Sequence, residues 1–134
     1  MKVFVDTNML IDLVCRREPF AEDAKRLFAY GCVGRLALRT CALSVVNAMF
    51  VAHHYNHDEV KTNLKRISAF VEILDLKGTF VIDMLSSDWK DYEDAVQNQT
   101  AITSNCDCIV TRNKKDFKQS SLPVYTVAEL FDAL

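Results

Sequence analysis

The sequence lacks a strong excess of either charge: 16 Lys and Arg stand against 18 Asp and Glu, for a formal net charge of −2. A dedicated nucleic-acid coat needs a basic surface to neutralise phosphates, so that class is disfavoured. An enzyme needs only a local basic rim and is not excluded. Also missing is any run approaching the ~18 uncharged apolar residues of a membrane helix. The opening MKVFVDTNMLIDLV is broken by Asp6 and Asp12 and is followed by no small-residue cleavage site, so it does not read as a signal peptide. The expectation is a cytoplasmic protein with no membrane partner. The five cysteines are odd in number and scattered, which is no disulfide framework, and Cys106-x-Cys108 has no second pair with which to bind zinc. They read as reduced, mostly buried thiols. Repeats, low-complexity tracts and linkers are absent, so residues 1–134 read as a single domain.

What is present is a composition half apolar and a quarter charged, enough for a core without staples. Val3-Phe4-Val5 predicts a buried strand that stops at Asp6-Thr7-Asn8. Helical spacing follows over Met9–Cys15, with Thr7 or Asn8 as cap, and again over Phe20–Tyr30, ending at Gly31 and Gly34. Leu36-Ala37-Leu38 is a candidate strand. Ser44 is placed to cap a helix through Ala52, and Asp58 one whose apolar face runs from Val60 to Leu74. Thr79–Ile82 reads as a strand and Asp91–Asn105 as a helix with Tyr92, Ala95, Val96, Gln99 and Ile102 inward. Cys108–Thr111 and Val124–Tyr125 read as strands, and Thr126 caps a last helix. This alternation predicts an α/β fold with a mainly parallel sheet covered on both faces.

Ligands in such sheets bind outside the carboxyl ends of the strands. Asp6 follows the first strand, Asp116 lies five residues beyond Thr111, and Asp94 sits near the start of the helix leading into that strand. Three carboxylates far apart in sequence are thereby brought to one edge. Each alone reads as a helix cap or a solvated acid. Together they repel unless a hard divalent cation joins them. Such ions can activate a water and stabilise the leaving oxygen of a phosphodiester.

These residues carry a family resemblance. VFVDTNMLIDL resembles the first strand and helix of PIN domains, and DYEDAVQNQTA followed by CDCIVTRNKKDF resembles their later acidic motifs, in the order and spacing of a subgroup with an EDA-Q helix. The resemblance covers nearly the whole chain. It implies a PIN-like three-layer α/β/α fold and a Mg²⁺- or Mn²⁺-dependent endoribonuclease acting on single-stranded RNA. Many small members are VapC-type toxins, commonly homodimeric and held inactive by an antitoxin. By position Asp6, Asp94 and Asp116 would be catalytic metal ligands, with Asn113 as an alternative to Asp116. Thr7, Asn8 and Thr111 would support ligands and water. Asn47 stands where the family usually has a Glu, and can ligate only through a neutral carbonyl. Asp12 or Glu93 is a candidate to supply the missing charge, although a helical step of ~100° separates Glu93 from Asp94.

Arg112, Lys114 and Lys115, with Lys118, form a basic cluster that either meets RNA phosphates or is an ordinary solvated loop. His53, His54 and His57 read as helix-end histidines, since no HExxH glutamate accompanies them. Trp89 and Tyr92 favour core packing over base stacking, and Phe50, Tyr55 and Phe70 read as core or as a dimer surface. Two other functions compete with the nuclease. A PIN-like module without catalysis, serving binding or assembly, is motivated by Asn47 and Asn113. An aspartyl-phosphate enzyme would need DxD after the first strand, where this chain has Asp6-Thr7-Asn8.

Overall fold

A computed structural model describes residues 1–134. Lys2–Val5 forms β1, followed by helices α1 (Thr7–Val14) and α2 (Ala21–Cys32). Then come β2 (Ala37–Cys41), α3 (Ala42–Val51), α4 (His57–Ile67) and β3 (Val71–Leu74). Helices α5 (Gly78–Leu85) and α6 (Tyr92–Thr103) lead to β4 (Cys108–Val110), β5 (Val124–Tyr125) and α7 (Val127–Ala133).

The five strands form one sheet in the order β3-β2-β1-β4-β5, and every pairing is parallel. The strand residues explain why both faces are covered. Val3 and Val5 of β1, with Cys108 and Val110 of β4, enter a large core with residues of α1, α2, α3, α4 and α7. Phe4 and Ile109 point the other way and pack with Val96 and Ala101 of α6 and with Phe117. Side chains alternate across a strand, so a strand covered on both faces reads as an unbroken apolar run. The result is the three-layer α/β/α arrangement expected from the resemblance.

Two expectations are corrected. Thr79–Ile82 is part of α5, not a strand. Of that run only Phe80 is buried, and Ile82 is 64% exposed, which a covered parallel strand would not tolerate. A four-residue apolar run does not by itself separate the two states. The missing strand lies inside the expected continuation of α4. That helix stops at Ile67, and β3 pairs with β2 from Leu38↔Val71 to Cys41↔Leu74. Spacings of three and four suited both readings here, and pairing with β2 decides between them.

The caps also differ in detail. Asn56, not Asp58, caps α4 by accepting from the Glu59 N–H at 3.1 Å. Helix α3 begins at Ala42, which places Ser44 inside the helix and fully buried. Thr126 does cap α7, with Glu129 completing a reciprocal capping box.

The connectivity positions the site. The chain builds from β1 outward to β3, then returns through α5 and α6 to set β4 on the other side of β1. The direction of winding therefore switches between β1 and β4. Adjacent connections leave on opposite faces there, and a crevice opens at the carboxyl ends.

Candidate active site

A cleft of about 370 Å³ lies at that crevice, lined by Asp6, Asp91, Glu93, Asp94 and Asp116 among others. Thr7, Asn8 and Asn47 supply further polar lining, and Ile11, Phe50 and Val51 the apolar part. No Lys, Arg or His lines it, so five carboxylates face one another without a cation.

Asp6 is carried on the end of β1 and buried. It stands at the N-cap position of α1, yet its side chain makes no capping bond. Its Oδ1 accepts from Gln97 Nε2 at 3.1 Å and its Oδ2 from the Thr111 hydroxyl at 2.8 Å. Burial raises its pKa above the ordinary carboxylate value, and these two donors oppose the rise. The chain thus spends two buried side chains on orienting a carboxylate that it does not use as a cap.

Asp94 occupies the first turn of α6, where Asp91 caps the helix by accepting from the Asp94 N–H at 2.9 Å. A helix N-terminus ordinarily favours a carboxylate. Here burial, followed by repulsion from Asp91, Asp6, Asp116 and Glu93, pushes Asp94 up to about 8. Asp116 comes from the short 3₁₀ turn Lys114–Phe117 after β4 and is held by Asn113 Nδ2 at 2.9 Å. Asn113 itself is absent from the cleft lining, so of the two alternatives Asp116 stands in the cleft.

Glu93 also reaches the cleft, although a helical step separates it from Asp94. Both reach it because the N-terminal end of α6, not one of its sides, faces the crevice. Asn47 Nδ2 donates to Glu93 Oε2 at 2.7 Å, and the Thr7 hydroxyl lies 2.5 Å from Glu93 Oε1. Thr7 is also 2.6 Å from Ser44 Oγ. A hydroxyl has one proton to give, and the carboxylate is the stronger acceptor, so Ser44 donates to Thr7 and Thr7 to Glu93. Asn47, neutral where the family usually has a Glu, thereby fixes a carboxylate from another helix on the same wall.

Asp12 does not serve that purpose. It is fully buried away from the cleft, bonded to Arg17 Nε at 2.9 Å and to Arg112 Nε at 2.9 Å. The same pairing ties Arg112 to the fold, and its guanidinium also lies 3.9 Å over the Phe20 ring. Lys114 is paired with Glu129 at 2.9 Å, whereas Lys115 has no ion-pair partner. Asn8 faces the cleft and accepts from Arg17 Nη2 at 3.3 Å. His53 and His57 stack with ring centroids 5.3 Å apart, with no metal-binding cluster around them.

Sequence reasoning gave Gln97, Ser44 and Asp91 no part in the site. Gln97 is fully buried, and its Oε1 accepts from the Thr7 N–H at 3.1 Å while its amide holds Asp6. Its spacing of four from Glu93 and three from Asp94 was the available signal. Asp91 shows the three-residue spacing of a cap before Asp94, and Ser44 lies one turn before Asn47 on α3.

The donors fit a hard divalent cation: all are oxygens, and their mutual repulsion needs positive charge. No group of three or more His, Cys, Asp or Glu side chains is placed to hold a metal ion by itself. Mg²⁺ rarely has such a group, since it keeps several waters and takes one or two carboxylates plus substrate phosphate.

Fold and site together define a class: parallel three-layer α/β domains with a cation-free acidic cleft at the switch point of the sheet. The model of the PIN domain matches residues 2–115, and the chain belongs to the PIN domain family. No curated protein sequence matches it. Among solved structures it is similar to a VapBC complex from Rickettsia felis bound to a promoter DNA fragment. That likeness has TM-score 0.68 and 16% identity over 94% of this chain and 98% of that one. A toxin–antitoxin complex from Klebsiella pneumoniae gives TM-score 0.66 and 25% identity over 93% and 97% of the two chains. A sarcin–ricin-loop-cleaving VapC toxin from Mycobacterium tuberculosis gives TM-score 0.69 and 14% identity over 85% and 92%.

Proposed function

We propose that this protein is a Mg²⁺- or Mn²⁺-dependent endoribonuclease of single-stranded RNA, acting in the cytoplasm as the toxin of a toxin–antitoxin pair. The observation that carries the reading is the gathering of five carboxylates, without a cation, at the one sheet edge where two neighbouring strands part. Membership of the PIN family and the likeness to toxin–antitoxin structures support it.

Asp6, Asp94 and Asp116 would hold the metal. When bound, Mg²⁺ or Mn²⁺ offsets phosphate charge and lowers the pKa of a water. The chain's own residues do the rest. Thr111 and Gln97 fix both oxygens of Asp6, so little reorganisation remains when the site fills. Asn47 and Thr7 hold Glu93 in the cleft, where it supplies the negative unit that Asn47 itself lacks. The raised pKa of Asp94 makes proton and metal competitors for one carboxylate.

Partners follow from the surface. Phe50 of α3 is 67% exposed at the cleft rim, and Val46 of the same helix and Tyr55 beyond it are exposed too. Phe50 and Tyr55 are therefore not core, whereas Phe70 packs against the large core. This apolar face suits an antitoxin helix or a second copy of the chain. No helix is long and apolar enough to cross a membrane.

Isothermal titration of Mn²⁺ tests the metal site. Saturable binding that is lost in Asp94→Asn supports it. No binding by the wild type at millimolar metal would move the reading to a non-catalytic binding module.

A further inference from the structure

Beside the cleft lies a second recess of about 210 Å³, lined by Trp89, Lys90, Lys115, Lys118 and Gln119. It shares Asp91, Asp94 and Asp116 with the cleft, so the two are separated only by the carboxylates. They differ in the cations they carry. The cleft has no cation, whereas the recess has three exposed lysines with no ion-pair partner. Nearby cations that serve the fold are paired: Arg112 with Asp12 and Lys114 with Glu129. Trp89 is half-buried, and its ring meets Phe117 edge-on with centroids 6.2 Å apart. Phe117 is fully buried and anchors the indole at the recess wall.

We infer that this recess is a nucleotide subsite of the same active site. One base of single-stranded RNA stacks on Trp89, and Lys90, Lys115 and Lys118 take the phosphates leading away from the scissile bond. The inference rests on the nuclease reading and adds the path that the strand takes out of the cleft. Aromatic faces accept any base, and lysines neutralise phosphates without reading sequence. The subsite would therefore bind single strands with little sequence preference. The lysines also solve an electrostatic problem, because a polyanion approaching five carboxylates needs a cationic approach path.

Trp89 is the only tryptophan in the chain, so tryptophan emission reports on this one side chain at the recess wall. The experiment titrates a short end-labelled single-stranded RNA into wild-type protein in EDTA, where binding is read without turnover. Label anisotropy and tryptophan emission are followed together. Saturable quenching of Trp89 that tracks the anisotropy is expected. Lys115→Ala/Lys118→Ala should weaken binding about tenfold at low salt and flatten the slope of log K against log salt by ~1.4. Trp89→Ala should weaken it about tenfold, with Trp89→Phe retaining most of the affinity. In cleavage assays with Mn²⁺ the lysine variant should raise KM and leave kcat nearly unchanged.

Anisotropy that rises while Trp89 emission and the lysine variant stay as they were overturns the subsite and leaves the nuclease reading intact. The reverse result, with quenching present and no metal-dependent cleavage, supports the subsite as a binding feature and overturns the nuclease reading alone.

Discussion

Gln97→Leu is the most informative single change, because Gln97 touches no solvent and yet joins three elements of the site. Its amide N–H holds Asp6 at 3.1 Å, and its carbonyl oxygen accepts from the Thr7 N–H at 3.1 Å and lies 3.2 Å from the Thr7 hydroxyl. Leucine keeps a similar volume, so a cavity contributes little. What is lost is a charge-assisted bond to Asp6 and the partner of a buried backbone donor. Each is worth about 1–2 kcal/mol when its partner stays behind, for about 3 kcal/mol in all. For a domain of this size that is roughly a 12 °C fall in Tm. The lost donor also removes one of the bonds opposing the raised pKa of Asp6, so its protonated form gains. Metal must then displace a proton more often at neutral pH, and Mn²⁺ affinity should fall several-fold. Differential scanning fluorimetry and Mn²⁺ titration at pH 7 measure both. A variant within about 0.5 kcal/mol of the wild type, with unchanged Mn²⁺ affinity, would refute the reasoning that Gln97 positions Asp6.

Asp12→Ala removes the shared acceptor of Arg17 and Arg112 and should cost about 3 kcal/mol, the low end for a buried pair because both guanidiniums reach solvent; denaturant unfolding measures it, and Mn²⁺ affinity should stay within twofold. Asn47→Asp sets a like charge where an amide now donates to Glu93 at 2.7 Å, so the metal-free protein should lose at least ~1 kcal/mol while its Tm gain on adding Mn²⁺ grows. For pH, the folded pKa of Asp94, about 8, lies above the ordinary 3.8. A raised carboxylate contributes stability that is full below the unfolded value and lost as pH rises through the folded one. The metal-free protein should therefore lose stability between about pH 4 and pH 8 from this group, and the Tm shift given by Mn²⁺ should increase over that range. Melting curves at pH 5, 6, 7 and 8 with EDTA and with Mn²⁺ test the sign.

Much of this arrangement is legible in the residues. Asp6, Asp94 and Asp116 reach one edge because strand ends and helix starts share it in any parallel sheet, and that inference needed only the element order. Exchanging α5 for a strand and β3 for helix left it intact, because neither supplies a cleft residue. Less legible was the inner face of α6. An apolar wheel put Tyr92, Gln99 and Ile102 inward, yet Tyr92 is 65% exposed and the buried stripe includes Asp94, Gln97 and Thr100. Gln97 is buried because it bonds to Asp6 and Thr7, and Thr100 because its hydroxyl donates to the Val96 carbonyl, and hydrophobic periodicity does not see such partners. The same blindness hid the Asp12 pairing. Asp12 and Arg112 are 100 residues apart, and only the closeness of α1 to the end of β4 makes them neighbours.

The most direct test of the central claim is cleavage of an end-labelled single-stranded RNA by wild type and Asp6→Asn, each with Mn²⁺ and with EDTA. Circular dichroism confirms that both are folded. We expect internal cleavage by the wild type in Mn²⁺, none in EDTA, and a loss of at least a hundredfold in the variant. Cleavage by Asp6→Asn at the wild-type rate, or wild-type cleavage undiminished by EDTA, would contradict the assignment of the acidic cleft as a metal-dependent nuclease site.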